Sequence, residues 1–298
     1  MVYHIPALLK ESIDGLNIKP DGTYVDVTFG GGGHSQEILK RLPSGKLIAF
    51  DQDEDAIRNV PSDDRLLFLN QNFRFLKNNL RFNGINTVDG ILADLGVSFH
   101  QFDEPLRGFT FRQDAPLDMR MNKNNPVTAA DLLKNTEEGQ LADIFYNFGE
   151  FKNSRQIARE IVAARSAKPL TTVSDIMDTI GKFAPFRQEH KFYARIFQAL
   201  RIAVNNEIGS LKDMLEQALE VLNPGGRLVV ITYHSLEDRV VKNFMKTGSF
   251  EGIEEKDFYG NLITPFRLIT KKGITPDEEE IEKNARSRSA RLRIAEKI

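Results

Sequence analysis

Hydrophobic positions along the chain change their period twice. From Tyr24 to Phe29, "YVDVTF" is a short run rich in β-formers behind the turn "KPDG", and "HSQEILKRL" beyond the next glycines carries Ile38, Leu39 and Leu42 at helical spacing. "KLIAF", leading to Asp51, reads as a second strand, "DEDAIRNV" as helical, "RLLFLNQ" as a strand, "FRFLKNNLRF" as a helix and "VDGILAD" as a strand ending at Asp94. Strands alternating with helices predict an α/β protein with a mainly parallel sheet.

Past Asp94 the alternation stops. Residues 109–204 show no buried-strand pattern but several helical stretches, "TAADLLKN", "EGQLADIFYNF", "SRQIAREIVAARSA", "TTVSDIMDTIGKF" and "KFYARIFQALRIAV". Thr128, Ser154 and Thr171 or Thr172 stand where helix caps belong. This predicts a helical domain at 109–204 inserted between two parts of an α/β domain, 1–108 and 205–298. The rhythm returns with the helix "IGSLKDMLEQALEVL", the turn "NPGG" and the strand "RLVVITY". "FRLITKK" and "SARLRIA" then alternate as an antiparallel pair.

Composition narrows the chemistry. The 298 residues are 41% hydrophobic, enough for a sizeable core, and no apolar run reaches membrane-spanning length. The amino-terminal residues lack a secretion pattern, so a cytoplasmic protein with no membrane partner is expected. Cysteine is absent, which removes thiolate metal sites and a cysteine nucleophile, and no metal is expected. A formal charge of −2 leaves nucleic-acid affinity to local patches. The clearest one is "KNARSRSARLRIAEKI", which follows the acidic "PDEEEIE".

The run "TFGGGGHSQEIL" places four glycines between a first strand and its helix, where a ligand meets backbone at the carboxyl edge of a sheet. No Lys-Ser or Lys-Thr follows Gly33, which excludes a triphosphate-binding loop. The dinucleotide fingerprint would put a small residue at Ser35 or Gln36, so a pyrophosphate and an oxidoreductase are disfavoured. Asp51, eighteen positions after Gly33, stands at the spacing from which a carboxylate reaches ribose hydroxyls; the alternative is a cap on the following helix. A ribose-bearing ligand without pyrophosphate suits both features, and S-adenosylmethionine is one.

The runs "YHIPALLKE", "TFGGGGHS", "AFDQDEDAI", "DLGVS", "RGFTFRQDAPLDMRMN", "FQALRIAVNNE", "NPGGRLVVITYHSLEDRVVK" and "NARSRSARLRIAE" cover nearly the whole chain and resemble the bacterial small-subunit ribosomal RNA methyltransferase H, or MraW, family. The resemblance implies a Rossmann-like class I methyltransferase sheet with an inserted all-helical domain. It also implies S-adenosylmethionine-dependent methylation of the exocyclic N4 of one cytidine in the decoding region of 16S rRNA. Cofactor contacts carry over onto Gly32, Gly33, His34, Asp51, Phe73, Asp94 and Gln101. The chain departs from the family after "DLGVS", with Phe99-His100-Gln101 where Ser-Pro-Gln is common.

Methyl transfer to a cytosine amine requires that amine in line with the sulfonium methyl. Methylation at carbon 5 needs a cysteine nucleophile, so its absence favours the exocyclic nitrogen. Asp94 is the candidate to orient the amine as well as to contact the cofactor, and His234 and Ser235 in "TYHSLEDR" are candidates to orient the base. Glu237 and Asp238 have a simpler role open to them, charging the first turn of a helix. Tyr233 or Phe109 is placed to stack on an extruded cytosine. Arg286, Arg288, Arg291 and Arg293 are candidates for the RNA backbone, with Arg155, Arg159, Arg165, Lys168, Arg187, Lys191, Arg195 and Arg201 of the insertion. The expected partner is 16S rRNA or the small ribosomal subunit. Monomer and homodimer are both compatible with the sequence. The alternative function is an rRNA-binding ribosome-assembly factor with a non-catalytic cofactor pocket.

Overall fold

The computed structural model describes residues 6–298, so Tyr3, His4 and Ile5 of the first family-like run lie outside the described residues. The chain divides into two compact units, one built from the residues up to Gly96 with Ile208–Ile298, the other from Val97–Glu207. The second unit starts at Val97 and ends at Glu207, where hydrophobic periodicity had placed an insertion at 109 and 204. The start was hidden because the segment opening the unit holds only a five-residue helix and a single 3-10 turn, Pro105–Arg107, too short to show a period.

In chain order the strands are β1 (Thr23–Asp26), β2 (Lys46–Phe50), β3 (Leu66–Leu69), β4 (Val88–Asp94), β5 (Leu222–Thr232), β6 (Glu255–Lys256), β7 (Leu262–Ile263), β8 (Phe266–Leu268) and β9 (Arg291–Lys297). The helices are α1 (Leu9–Leu16), α2 (Gly33–Lys40), α3 (Leu76–Phe82), α4 (Phe99–Asp103), α5 (Ala129–Asn135), α6 (Glu138–Asn147), α7 (Ser154–Ala167), α8 (Val173–Ile180), α9 (Glu189–Asn205), α10 (Glu207–Val221), α11 (Ser235–Thr247) and α12 (Glu278–Lys283).

Seven strands of the first unit form one sheet in the order β3-β2-β1-β4-β5-β9-β8. β1 to β5 run parallel, and β9 lies antiparallel to both β5 and β8. The chain steps outward from β1 to β3, then returns to the other side of β1 for β4. The order therefore reverses between β1 and β4, where open α/β sheets bind ligands. This is the Rossmann-like class I sheet that the resemblance implies.

Both faces of the sheet are covered, which explains the continuous apolar runs in its strands. Val25, Ile48, Ile91, Leu228 and Val230 pack on one face with Leu76, Leu80, Leu211, Met214, Val241 and Phe244. Their neighbours Tyr24, Leu47, Leu92, Val229 and Ile231 pack on the other with Ile13, Leu16, Ile38 and Leu39. Adjacent strand residues thus serve opposite faces, as the pleat requires. Each fully buried Leu or Ile contributes about 1.5–3 kcal/mol relative to exposure.

The second unit is helical, with its own buried cluster drawn from Phe109 to Leu200. Its only strand-like pairing among the described residues is a bridge between Pro116 and Thr172. Thr128 and Thr172 each form a capping box, with Asp131 and Asp175. Thr171 does not cap, and Ser154 is the buried first residue of α7 rather than its cap; Asn153 holds that position without a side-chain bond. Two expected helices form tighter coil. "DEDAIRNV" holds a 3-10 helix, Glu54–Asn59, and "FRFLKNNLRF" begins as one, Phe73–Phe75. "NPGG" is an irregularity inside β5, between the pairs Val88–Leu222 and Gly90–Arg227, rather than a turn before it. No helix among the described residues is long and apolar enough to cross a membrane.

Candidate active site

The carboxyl ends of β1, β2 and β4 bring together the glycine turn, Asp51 and Asp94. The glycines have separate reasons to be glycine. Gly30 and Gly32 are left-handed, with φ of +51° and +78°, and a Cβ on Gly32 would stand 2.8 Å from the Phe29 ring. A Cβ on Gly33 would meet Pro6 Cγ at 2.3 Å. Gly31 is exposed, and its missing side chain faces open space. The close neighbours of Gly32 and Gly33 are therefore parts of the chain itself, and Gly31 is the place where backbone lies open to a ligand.

Asp26, the last residue of β1, is the anchor that sequence reasoning missed. It is 1% exposed and accepts from the Thr28 amide at 3.0 Å and the Ser35 hydroxyl at 2.7 Å. Ser35, the residue that weakened a dinucleotide reading, thus ties α2 to β1. Thr28 Oγ1 in turn accepts from the Asp94 amide at 2.6 Å, which links the turn to the end of β4. Only the repeated polar spacing Asp26, Thr28, Ser35 around the glycines hinted at this network.

Asp51 uses one carboxylate oxygen to accept from the Gly30 amide at 2.7 Å and the other to accept from the Asp53 amide at 2.8 Å. It does not cap the next helix; Asp53 does, accepting from the Asp55 amide. Each Asp51 oxygen keeps acceptor capacity for a hydroxyl. Burial pushes its carboxyl up to about 6, against the pull of the two amides, with the charges of Asp53 and Asp26 adding to the rise. Asp94 accepts from the Tyr233 hydroxyl at 2.9 Å, and His34 Nδ1 lies 3.8 Å from its other oxygen. Burial, aided by the negative charges of Asp26 and Glu237, pushes Asp94 up to about 7. Burial also raises Asp26. Among the described residues, no lysine or arginine offsets these three carboxylates.

His34 is buried, with Nε2 3.2 Å from the Ala7 carbonyl, so its ring joins the first helical segment to the edge of the site. Phe73 is half-buried, opens the 3-10 turn after β3 and packs against the core. Past β5, His234 is the N-cap of α11: its Nδ1 accepts from the Glu237 amide at 3.4 Å. Glu237, buried, accepts from the Tyr233 amide at 2.9 Å and places Oε1 3.1 Å from His234 Nε2. Capping occupies His234, whereas Ser235 is exposed in the first turn. Tyr233 is half-buried with its hydroxyl committed to Asp94.

Several candidates have other work in the structure. Gln101 belongs to the second unit and is buried; its side chain accepts from the Ser98 amide at 3.1 Å in a capping box that starts α4. Phe109 is a core residue with the Arg107 guanidinium 5.7 Å from its ring centroid, so it is not a free stacking platform. Arg293 is 7% exposed and grips Asp238 through two bonds, at 2.7 and 3.0 Å, which removes it from the RNA candidates. Arg291, two residues back on the same strand, is exposed and lies 3.7 Å from the same carboxylate, and Arg286 and Arg288 are exposed as well. In the second unit Arg165 donates to the carbonyls of Leu133 and Thr136, Arg195 to those of Gly149 and Glu150, and Arg201 pairs with Glu207. Arg155, Arg159, Lys168, Arg187 and Lys191 are exposed. A depression of about 410 Å³ lined by Asp21, Thr23 and Lys46 lies at the opposite edge of the sheet, away from the glycine turn, Asp51 and Asp94.

A model of the MraW methylase family matches residues 1–298. The chain belongs to that family. It is similar to the ribosomal RNA small subunit methyltransferase H of Bacteroides thetaiotaomicron, 60% identical over 298 residues that cover 100% of this chain and 98% of that protein. The protein of the same name from Flavobacterium johnsoniae is 57% identical over 299 residues, covering 100% and 99%.

Proposed function

We propose that this member of the MraW methylase family transfers a methyl group from S-adenosylmethionine to the exocyclic N4 of a cytidine in the decoding region of 16S rRNA. The observation that carries the reading is the group of three carboxylates, Asp26, Asp51 and Asp94, around an open glycine at the reversal point of the sheet, with no lysine or arginine among the described residues to offset them. Unit charges 4 Å apart near a protein surface interact by about 4 kcal/mol, so such a site repels a pyrophosphate and favours a cation. S-adenosylmethionine fits on that ground, and when bound it supplies an electrophilic methyl group on a positively charged sulfur.

Asp51 holds the ribose hydroxyls through its spare acceptor positions, while Gly31 leaves room for the methionyl end. Gly32, Gly33 and His34 shape that turn from within, and Phe73 borders the site beyond β3. Asp94 faces the cofactor and, with a carboxyl near 7, can orient the target amine and hold the proton it loses. Tyr233 fixes the Asp94 carboxylate, and Ser235 is the exposed hydroxyl on the same edge for the base. Arg286, Arg288 and Arg291 contact RNA phosphates. The relatives' printed names and the full-length family match support RNA of the small subunit as the substrate.

The test is twofold. Calorimetry should show S-adenosylmethionine binding to the wild type and its loss in Asp51→Ala, with the melting transition retained; undiminished affinity would refute the site. Nucleoside mass spectrometry of small-subunit RNA from cells lacking the gene should show loss of N4-methylcytidine, restored by the wild type. An unchanged signal would leave an assembly factor as the better reading.

A further inference from the structure

The first unit carries, on α11, β8, β9 and the β6–β7 hairpin, two features that the methyl-transfer site does not use. One is a cavity of about 260 Å³ with an apolar floor of Met245 and Leu268, bordered by Lys242, Lys246, Lys271 and the inner wall of Arg293. Arg293 is neutralised by Asp238, and Lys246 pairs with Glu254 at 2.6 Å. Lys242 and Lys271 are exposed and have no ion-pair partner among the described residues. In a chain whose formal charge is −2, this pocket keeps two uncompensated positive charges over apolar surface.

The other feature is the tip of the β6–β7 hairpin. Phe258 is 98% exposed and Tyr259 84%, with their rings edge to face at 5.6 Å. The turn that displays them is fixed: Asp257 accepts from the amides of Tyr259 and Asn261 at 2.9 and 2.8 Å, and Gly260 takes φ of +86°. The hairpin is moored to α11 at its base, by the Lys246–Glu254 pair and by Phe250, which stacks on Phe244 with centroids 5.0 Å apart. A turn tied by these bonds holds two large rings in water and presents their flat faces to a partner.

We infer that this face grips single-stranded RNA beside the nucleotide being methylated, with Lys242 and Lys271 on successive phosphates and Phe258 and Tyr259 stacking on unpaired bases. Lys246, which lines the cavity and pairs with Glu254, links it to the base of the hairpin that carries the rings, and a cationic groove beside exposed aromatic rings is the combination by which proteins hold single strands. Uncompensated lysines favour a polyanion over a protein partner, whose interface cores are depleted of lysine. Lys242 lies seven residues along α11 from Ser235, about 10 Å, so a strand leaving the sheet edge reaches the pocket within a few nucleotides. The inference rests on the RNA-substrate reading above.

Fluorescence anisotropy of a labelled single-stranded oligonucleotide carrying the target cytidine, over a salt series, tests it. The double variant Lys242→Gln/Lys271→Gln should lower the slope of log affinity against log salt by about 1.4. Phe258→Ala/Tyr259→Ala should weaken binding about tenfold or more with the slope unchanged. S-adenosylmethionine affinity and melting temperature should match the wild type in both. Wild-type affinity and slope in both variants would overturn the inference while leaving the substrate reading intact. No binding by the wild type to either the oligonucleotide or isolated small subunits would overturn both. Variants that bind and methylate naked RNA normally but fail on assembled subunits would assign the face to a ribosomal protein, again overturning it.

Discussion

Gly31 and Gly33 stand two residues apart and answer to different neighbours. An added methyl at Gly33 runs into Pro6, so Gly33→Ala should cost about 1–3 kcal/mol of stability as the turn and Pro6 separate. At Gly31 the same methyl enters open space, so stability should change by less than about 0.5 kcal/mol, yet S-adenosylmethionine affinity should fall about tenfold. Denaturant melts and calorimetry on the two variants separate these outcomes; equal affinity in Gly31→Ala and wild type would show that the ligand does not lie on that glycine. Asp94 makes a second prediction at this scale. Its carboxyl rises on folding from 3.8 to about 7, so the folded protein binds the extra proton, and that stabilisation is full below about pH 4 and lost as pH rises through about 7. Asp94→Asn should therefore exceed the ligand-free wild type by only about 1 kcal/mol near pH 4.5 and by a few kcal/mol near pH 8. A stability difference that is the same at both pH values would exclude a raised carboxyl.

At the scale of elements, α11 is a junction that meets β5, β8 and β9. Its first turn caps itself through His234 and Glu237, and Asp238 reaches across to Arg293 on β9. Removing the carboxylate leaves a guanidinium that is 7% exposed without its counter-charge, so Asp238→Ala should lose about 3 kcal/mol in urea unfolding, while Arg291→Ala, at the exposed neighbour, should lose under 1. Comparable losses in the two would show that burial does not set the value of this pair. These contacts mark where sequence reading stops. Period and caps located β1 to β5, the parallel order and most helices of the second unit, because apolar spacing and Thr-x-x-Asp boxes are local signals. The same local signals placed Asp51 and Asp94 at strand ends. They could not separate Arg293 from Arg291, which share a strand face and a carboxylate and differ in burial because Arg291 stands at the strand's end, nor show that Gln101 spends its side chain on Ser98. His234 was ambiguous and Asp26 was missed for the same reason: a cap and a buried acceptor are defined by partners that only the fold supplies.

Across the whole molecule, a nearly neutral chain concentrates negative charge at the carboxyl edge of its sheet and leaves positive charge in patches elsewhere. The amino-acid totals conceal this because the opposing groups cancel in the sum. The strand order also bears on how the chain is built. β4 ends at Asp94 and its partner β5 begins at Leu222, with the entire second unit between them, while β8 touches the main sheet only through β9, which follows it in sequence. A chain emerging from its amino end must therefore hold β4 with one side unpaired until all of the second unit has appeared. It must then keep β8 waiting for β9. The edge strand that flanks the proposed RNA grip is the last piece to be clasped, so a nascent chain completes that face only after its glycine turn.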